Sequence, residues 1–248
     1  MKVDFCLPIY NEEKILEKNV LKLLNYCSAQ QFNFDWKITI VSNGSSDSSS
    51  TIGEKLKAEN SDKINFINIK TPGRGQALKT YWLKSPADIV VYMDIDLAVS
   101  LDEIPRLIQP IINKTFDLLV GSRLMPESKI KRSFIRELSS QSYNFLSRVI
   151  LKHNFSDMQC GFKAVKAEVF KKIAPYIKDT KWFFDTELII FTKIFGYKIK
   201  EIPVNWSENR YDERESKVNM FKDSFKFLYN LIALKIRLAN IKKKNLAN

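Results

Sequence analysis

What is scarce in this chain narrows its chemistry first. One histidine, His153, stands among 248 residues. A mechanism built on histidine proton transfer is therefore not expected, and His153 itself reads as a surface residue. Three cysteines, Cys6, Cys27 and Cys160, are scattered and odd in number. They make neither a disulfide framework nor a zinc-ligand spacing, and they fit a reducing, cytosolic compartment. No apolar run reaches the roughly 18 residues of a membrane-spanning helix. The opening "MKVDFCLPIYNEE" passes straight into a strand pattern, so no signal peptide is expected. Internal repeats and low-complexity linkers are also absent.

What is plentiful is positive charge. Forty Lys and Arg face 28 Asp and Glu, a formal net charge of +12. Such a balance suits an acidic partner: a nucleotide, a nucleic acid or an anionic membrane surface. The length allows one large α/β domain or two small ones, with 45% hydrophobic residues to build a core.

Strand and helix patterns alternate along the first half. Residues 2–7, 37–42, 64–69, 88–93 and 116–121 read as strands, and 12–29, the segment after Asp47, 75–84 and 101–113 as helices. This alternation predicts a mostly parallel sheet with helices on both faces. Ligands bind such sheets at the carboxyl ends of the strands. "LPIYNEE" (7–13), "SNGSSD" (42–47) and "DID" (94–96) all fall at such ends. Beyond residue 122 the spacing predicts helices over 130–151, 182–195 and 219–244, with a strand at 198–204.

Asp94 and Asp96 close the most apolar strand. Like charges so placed repel, and burying them unpaired is costly. A divalent cation resolves this, since carboxylate oxygens suit Mg²⁺ or Mn²⁺ and leave positions open for phosphate oxygens. A dehalogenase-type phosphatase also carries Asp-x-Asp, but there the motif opens the chain and continues with glycine, whereas Leu97 follows here. A nucleic-acid-binding module has the charge in its favour, yet no recognised binding motif is present, and the two aspartates have the wrong sign for a phosphate-tracking groove unless a metal fills them. No nucleic-acid partner is expected.

Together "LPIYNEE", "VSNGSSD" (41–47), "GRG" (73–75), "MDIDLA" (93–98) and "VGSR" (120–123) resemble the inverting family-2 glycosyltransferases of the GT-A fold. "KRSFIR" (131–136), "DMQCGFKAV" (157–165), "WFFDTEL" (182–188), "EIPVNW" (201–206) and "ESKV" (215–218) resemble the polyprenyl-phosphate glycosyltransferases, most of all the dolichyl-phosphate β-glucosyltransferases. The resemblance implies a GT-A domain over residues 1–206. Its nucleotide-sugar half would be 1–122 and its acceptor half 123–206, followed by a charged loop and a basic amphipathic C-terminal helix over 207–248.

By this resemblance Pro8, Tyr10, Asn11 and Glu12 shape a nucleoside pocket, Arg74 lies near the diphosphate, and Asp94 and Asp96 hold the metal. The family has two aspartates where Ser42 and Asn43 stand. The Asn43 oxygen can accept one bond from a uracil N3–H and suits guanine less, which leans towards a UDP-hexose. Ala98 stands where the mannosyl branch carries glutamine, which leans the same way and away from GDP-mannose. Arg123, Arg132, Arg136 and Lys217 are expected on the acceptor phosphate, although Glu215 replaces the glycine usual before the Ser-Lys pair. Asp157 and Gln159 are expected in the acceptor loop, and Asp185 and Glu187 order the arginines or that loop.

A phosphate monoester is largely dianionic at neutral pH, its second pKa being about 6, so no general base is required. Asp96, Arg123 and Arg136 are the expected catalytic residues. A glycan hydroxyl acceptor would instead need a carboxylate base, for which Asp157 or Asp185 could serve. Helices that combine aromatic with basic residues suit a membrane surface. The chain is therefore expected to be cytoplasmic and peripheral on the cytoplasmic face of a membrane.

Overall fold

The computed structural model describes residues 1–131, 134–207 and 220–246. Strands β1 (Lys2–Ile9), β2 (Asp35–Asn43), β3 (Ile64–Ile69), β4 (Ile89–Met93), β5 (Leu118–Ser122), β7 (Phe162–Lys166) and β8 (Ile199–Pro203) form one sheet in the order β3-β2-β1-β4-β7-β5-β8. Short strands β6 (Lys129–Lys131) and β9 (Asn205–Ser207) pair parallel to each other. Helices α1 (Leu16–Ala29), α2 (Ser49–Glu59), α3 (Arg74–Trp82) and α4 (Ile104–Ile112) fill the first half. Helices α5 (Phe134–Leu151), α6 (Ala167–Ile173), α7 (Phe184–Ile194) and α8 (Met220–Leu246) fill the second.

The physical origin of the sheet is plain in its burial. β4, "IVVYM", is buried along its whole length, as is β5. Strands covered on both faces need such runs. One apolar layer lies under α1, α2 and α4 (Leu16, Val20, Leu56, Leu107, Ile111), the other under α3, α6 and α7 (Leu78, Trp82, Phe170, Phe184, Phe191).

The alternating pattern fails at one strand. β7 runs antiparallel between β4 and β5, pairing Met93 with Phe162 and Leu119 with Ala164. The two halves of the chain therefore share one sheet. Three boundaries also move. The residues at 12–15 form a turn, and the Glu12 carbonyl accepts both Ile15 N–H and Leu16 N–H before α1 begins. The helix expected from 130 starts at Phe134, because Lys129–Lys131 pairs with β9. The helix expected from 101 opens with a single tight turn at Leu101–Glu103.

His153 is also corrected. It is buried, with 3% of its surface exposed. Its Nδ1 accepts Phe155 N–H, and its Nε2 lies 3.0 Å from the Ser147 hydroxyl. Burial, aided by Lys193 and Arg148, lowers its pKa to about 4.

Candidate active site

β1 lies between β2 and β4, so the crossovers diverge on either side of it and leave a crevice at the strand ends. The loop after β1 is fixed to the loop after β2. Asn11, held at φ 51°, donates its N–H to Ser45 Oγ and accepts Ser46 N–H at 2.8 Å. Glu12 N–H donates to Ser49 Oγ, and Glu13 Oε2 accepts Ser48 N–H. Asp47 accepts Ser49 N–H and Glu13 N–H; burial pushes its carboxyl up, but these bonds together outweigh it and hold it below the usual range. Asp47 thus accepts the first N–H of α2 from one residue outside its N-cap, Ser48. Tyr10 remains 40% exposed at the mouth, with Pro8 buried in β1 behind it.

Asn43 is already engaged within the protein. Its oxygen accepts Gly73 N–H at 3.0 Å and its nitrogen donates to Ile9 C=O at 2.6 Å. The amide joins the ends of β1 and β2 to the start of α3, so a base at this position would meet an amide already engaged.

Asp94 follows β4. Its N–H donates to Gly161 C=O, and a Cβ at Gly161 would stand 1.9 Å from Asp94 Oδ2. Only glycine at 161 leaves room for that carboxylate. Tyr92, two residues earlier and so on the same strand face, donates its hydroxyl to Asp94 Oδ1 at 2.5 Å. Burial keeps the Tyr92 phenol well above its ordinary pKa, so it stays a donor. Asp96 Oδ1 accepts Ala98 N–H, and Leu97 between them takes φ 48°, a strained value for a bulky side chain. Asn19 of α1 holds this loop through Ile95 C=O.

Arg74 is no exposed turn residue. Its side chain is 11% exposed and lies 3.9 Å from Asp94. One guanidinium nitrogen donates to Tyr92 Oη at 2.6 Å, and another to Asp185. Its plane stacks on Trp182, 4.2 Å from the ring centre. Asp185 is fully buried and also accepts Lys163 Nζ at 2.8 Å. Shielding from water, then Asp96, raises the Asp94 pKa; Arg74 opposes them.

Arg123, after β5, meets Asp157 with a two-pronged ion pair of 2.7 and 3.0 Å. Burial pushes the Asp157 carboxyl up, but Arg123 outweighs it and holds the pKa at about 2. Asp157 Oδ1 also accepts Gln159 N–H, and Glu201 accepts Ser156 and Asp157 N–H. Asp157 and Asp185 are both tied into ion pairs with cationic side chains.

Beside Arg123 opens a groove of about 800 Å³, whose lining includes Met125, Ile130, Phe145, Leu146 and Arg148. Arg136 lies on α5, with its side chain outside what is described; Arg132 and Lys217 lie outside the described residues.

Three successive residues at the start of α7 face three neighbours. Asp185 holds Arg74. The Thr186 hydroxyl meets Tyr143 of α5 and accepts Gln159 Nε2. Glu187 accepts Lys178 and Asp179 N–H and pairs with Arg237 of α8. Gly75 permits the close approach of α3 to this turn, as a Cβ there would sit 2.6 Å from Phe184 Cβ.

Sequence reasoning missed Tyr92, Lys163, Trp182, Gly161 and Arg148. A phenol two residues before an aspartate on a buried strand was a legible signal. The other partners lie far along the chain.

The family model described as Glycosyl transferase family 2 matches residues 4–174. The chain belongs to that family. Glycosyltransferase AglD of Haloferax volcanii is 30% identical over 227 residues, covering 90% of this chain and 35% of that protein. The human dolichyl-phosphate beta-glucosyltransferase is 30% identical over 220 residues, covering 84% of this chain and 68% of that protein. The chain thus spans about a third of one relative and about two thirds of the other. A Mycobacterium tuberculosis glucosyl-3-phosphoglycerate synthase, solved with UDP, superposes with a TM-score of 0.65 at 18% identity, covering 94% of this chain and 80% of that one. The same enzyme solved with Mn²⁺, UDP-glucose and glycerol 3-phosphate gives 0.62 at 17%, with 95% and 78% covered. The family-2 chain therefore has the GT-A fold. Among its described residues no helix is long and apolar enough to cross a membrane.

Proposed function

We propose that this family-2 chain transfers a hexose from a nucleoside-diphosphate sugar, UDP-glucose or another UDP-hexose, to a polyprenyl or dolichyl phosphate, with inversion. The observation that carries this reading is the groove at Arg123. Its described walls combine apolar side chains with Arg123 and Arg148 and include no carboxylate. An anion joined to an apolar chain matches that lining. The human relative's name, a dolichyl-phosphate beta-glucosyltransferase, supports the same acceptor.

Pro8, Tyr10, Asn11, Glu12 and Asn43 border the nucleoside, and Arg74 and Asp94 the diphosphate. Asp94 and Asp96 would hold Mg²⁺ or Mn²⁺. Among the described residues no three His, Cys, Asp or Glu side chains gather into a metal site; the two carboxylates are oxygen ligands of the kind such an ion takes. The solved neighbour with Mn²⁺ and UDP-glucose supports this donor set. When bound there, such a cation would supply charge neutralisation for the departing diphosphate.

Arg123, Arg132, Arg136 and Lys217 orient the acceptor phosphate, with Asp157 and Gln159 fixing the loop behind Arg123. A phosphate oxygen attacks the sugar C1 in line as the C1–O bond to the nucleoside diphosphate breaks. An α-linked donor yields a β-linked lipid phosphate sugar. Asp96, Arg123 and Arg136 touch the reacting groups. Locking Asp157 and Asp185 in ion pairs disfavours a hydroxyl acceptor that relies on either as base.

In this reading residues 1–122 serve the donor, 123–206 the acceptor, and 207–248 the membrane. Exposed Phe145 and Val149 on α5 and Tyr229 and Ile236 on α8 would rest on the cytoplasmic face of a membrane, beside exposed Lys226 and Lys235. The test is transfer of label from UDP-glucose and, separately, GDP-mannose into a polyprenyl phosphate with Mn²⁺ or Mg²⁺. Chelator-sensitive, lipid-extractable label from UDP-glucose is the expected result. Label from GDP-mannose alone removes the uridine assignment, and no lipid label from either removes the acceptor.

A further inference from the structure

Two carboxylates at a strand end need a positive neighbour, and one is already built in. The Arg74 guanidinium lies 3.9 Å from Asp94 Oδ1. It is not there by chance of a flexible side chain. Asp185 grips one end, Tyr92 Oη accepts from a second nitrogen, and Trp182 covers the plane. Tyr92 then donates to the same Asp94 oxygen that Arg74 faces. The third guanidinium nitrogen, Arg74 Nε, is buried with no hydrogen-bond partner among the described residues.

We propose that Arg74 is the resident counter-ion of Asp94 and makes cation binding conditional on a nucleoside diphosphate. The inference rests on the metal assignment made above. Without nucleotide, a divalent cation at Asp94 meets a fixed guanidinium of its own sign at short range. Asp94 is already partly neutralised, so it attracts the ion less. A diphosphate brings enough negative charge to accommodate both the cation and Arg74. The same guanidinium therefore opposes the cation when it arrives alone and assists it when the diphosphate comes too. Asp185 and Tyr92 act as positioning residues for that switch of sign.

The test reads metal binding, not turnover. Free Mn²⁺ is followed by electron paramagnetic resonance for the wild-type chain, Arg74→Gln and Arg74→Lys, each with and without UDP. The wild type is expected to bind Mn²⁺ about tenfold more tightly with UDP than without. Arg74→Gln is expected to bind Mn²⁺ alone about threefold more tightly than wild type, and about threefold more weakly with UDP. Arg74→Lys keeps the charge and is expected to stay within about twofold of wild type without UDP. Unchanged or weaker UDP-free binding by Arg74→Gln overturns the inference and leaves the metal assignment standing. Tight UDP-free binding by Arg74→Lys also overturns it, since the charge is then not the cause. No Mn²⁺ bound by the wild type even with UDP overturns the metal assignment, and this inference with it.

Discussion

The crevice at the ends of β1, β2 and β4 and the surface of α5 and α8 are built on opposite plans. In the crevice, polar side chains are tied to one another across the loops: Asn11 to Ser46, Glu13 to Ser48, Asn43 to Gly73, Arg74 to Asp185. On α5 and α8, apolar side chains stand in the open, with Phe145 and Val149 each 59% exposed and Tyr229 71%. A rigid polar frame suits a small charged molecule that must be held in one pose. An apolar surface with basic neighbours suits a fluid layer, where contact needs area rather than register. The two plans meet at the first turn of α7, where Asp185 serves the crevice and Glu187 serves α8.

The sharpest break in this comparison comes from the crevice. Asp96→Asn is expected to lower label transfer from UDP-glucose by about a thousandfold, with vesicle binding unchanged in a sedimentation assay. Loss of vesicle binding as well would mean that the two regions are not separable. Next comes the Arg123–Asp157 pair. Arg123→Ala leaves a buried carboxylate alone and is expected to cost about 3–5 kcal/mol in urea unfolding. The Asp157 pKa of about 2 gives the pH dependence. The pair's contribution is fully present above the unfolded pKa of about 3.9 and is lost as pH falls through 2. Arg123→Ala should flatten that acid limb.

On the other side, Phe145→Ser, Val149→Ser and Ile236→Ser combined are expected to weaken binding to anionic vesicles by about tenfold or more. Mn²⁺ binding with UDP should not move; a parallel loss there would tie α5 and α8 to the crevice. An effect of pH alone is expected at His153. Its folded pKa of about 4 lies below the unfolded value of about 6.5, so stability is full above 6.5 and falls as pH drops towards 4. His153→Gln is expected to lose less stability than wild type between those values, read by thermal unfolding.

The crevice was legible in the sequence because its parts are local. Each of "LPIYNEE", "SNGSSD" and "DID" sits at the end of an apolar run, and strand ends of a parallel sheet gather at one edge. Lys163 hid β7, since a charged residue inside "FKAVK" breaks the apolar run that marks a buried strand. That lysine is fully buried because it reaches Asp185, 22 residues away. Asp185 likewise meets Arg74 across 111 residues. Such pairings depend on how the sheet brings distant segments together, and no spacing reveals them. His153 misled for the opposite reason: a titratable ring between Lys152 and Asn154 looks solvated, yet it is buried against Ser147 of α5 and the Phe155 N–H.

The place of β7 also sets the order in which the molecule can be assembled. As the chain emerges during synthesis, β1 to β4 can pair as soon as residue 93 is available. β5 cannot join them, because its sheet partners are β7 and β8, which come later. Until Phe162–Lys166 arrives, β4 has a bare edge and β5 has two. A chain stopped between Ser122 and Phe162 would expose apolar edges able to pair with other copies. β7 is thus the strand that joins two separate groups of strands into one continuous sheet, and nascent chains halted on either side of it should differ sharply in their need for chaperones.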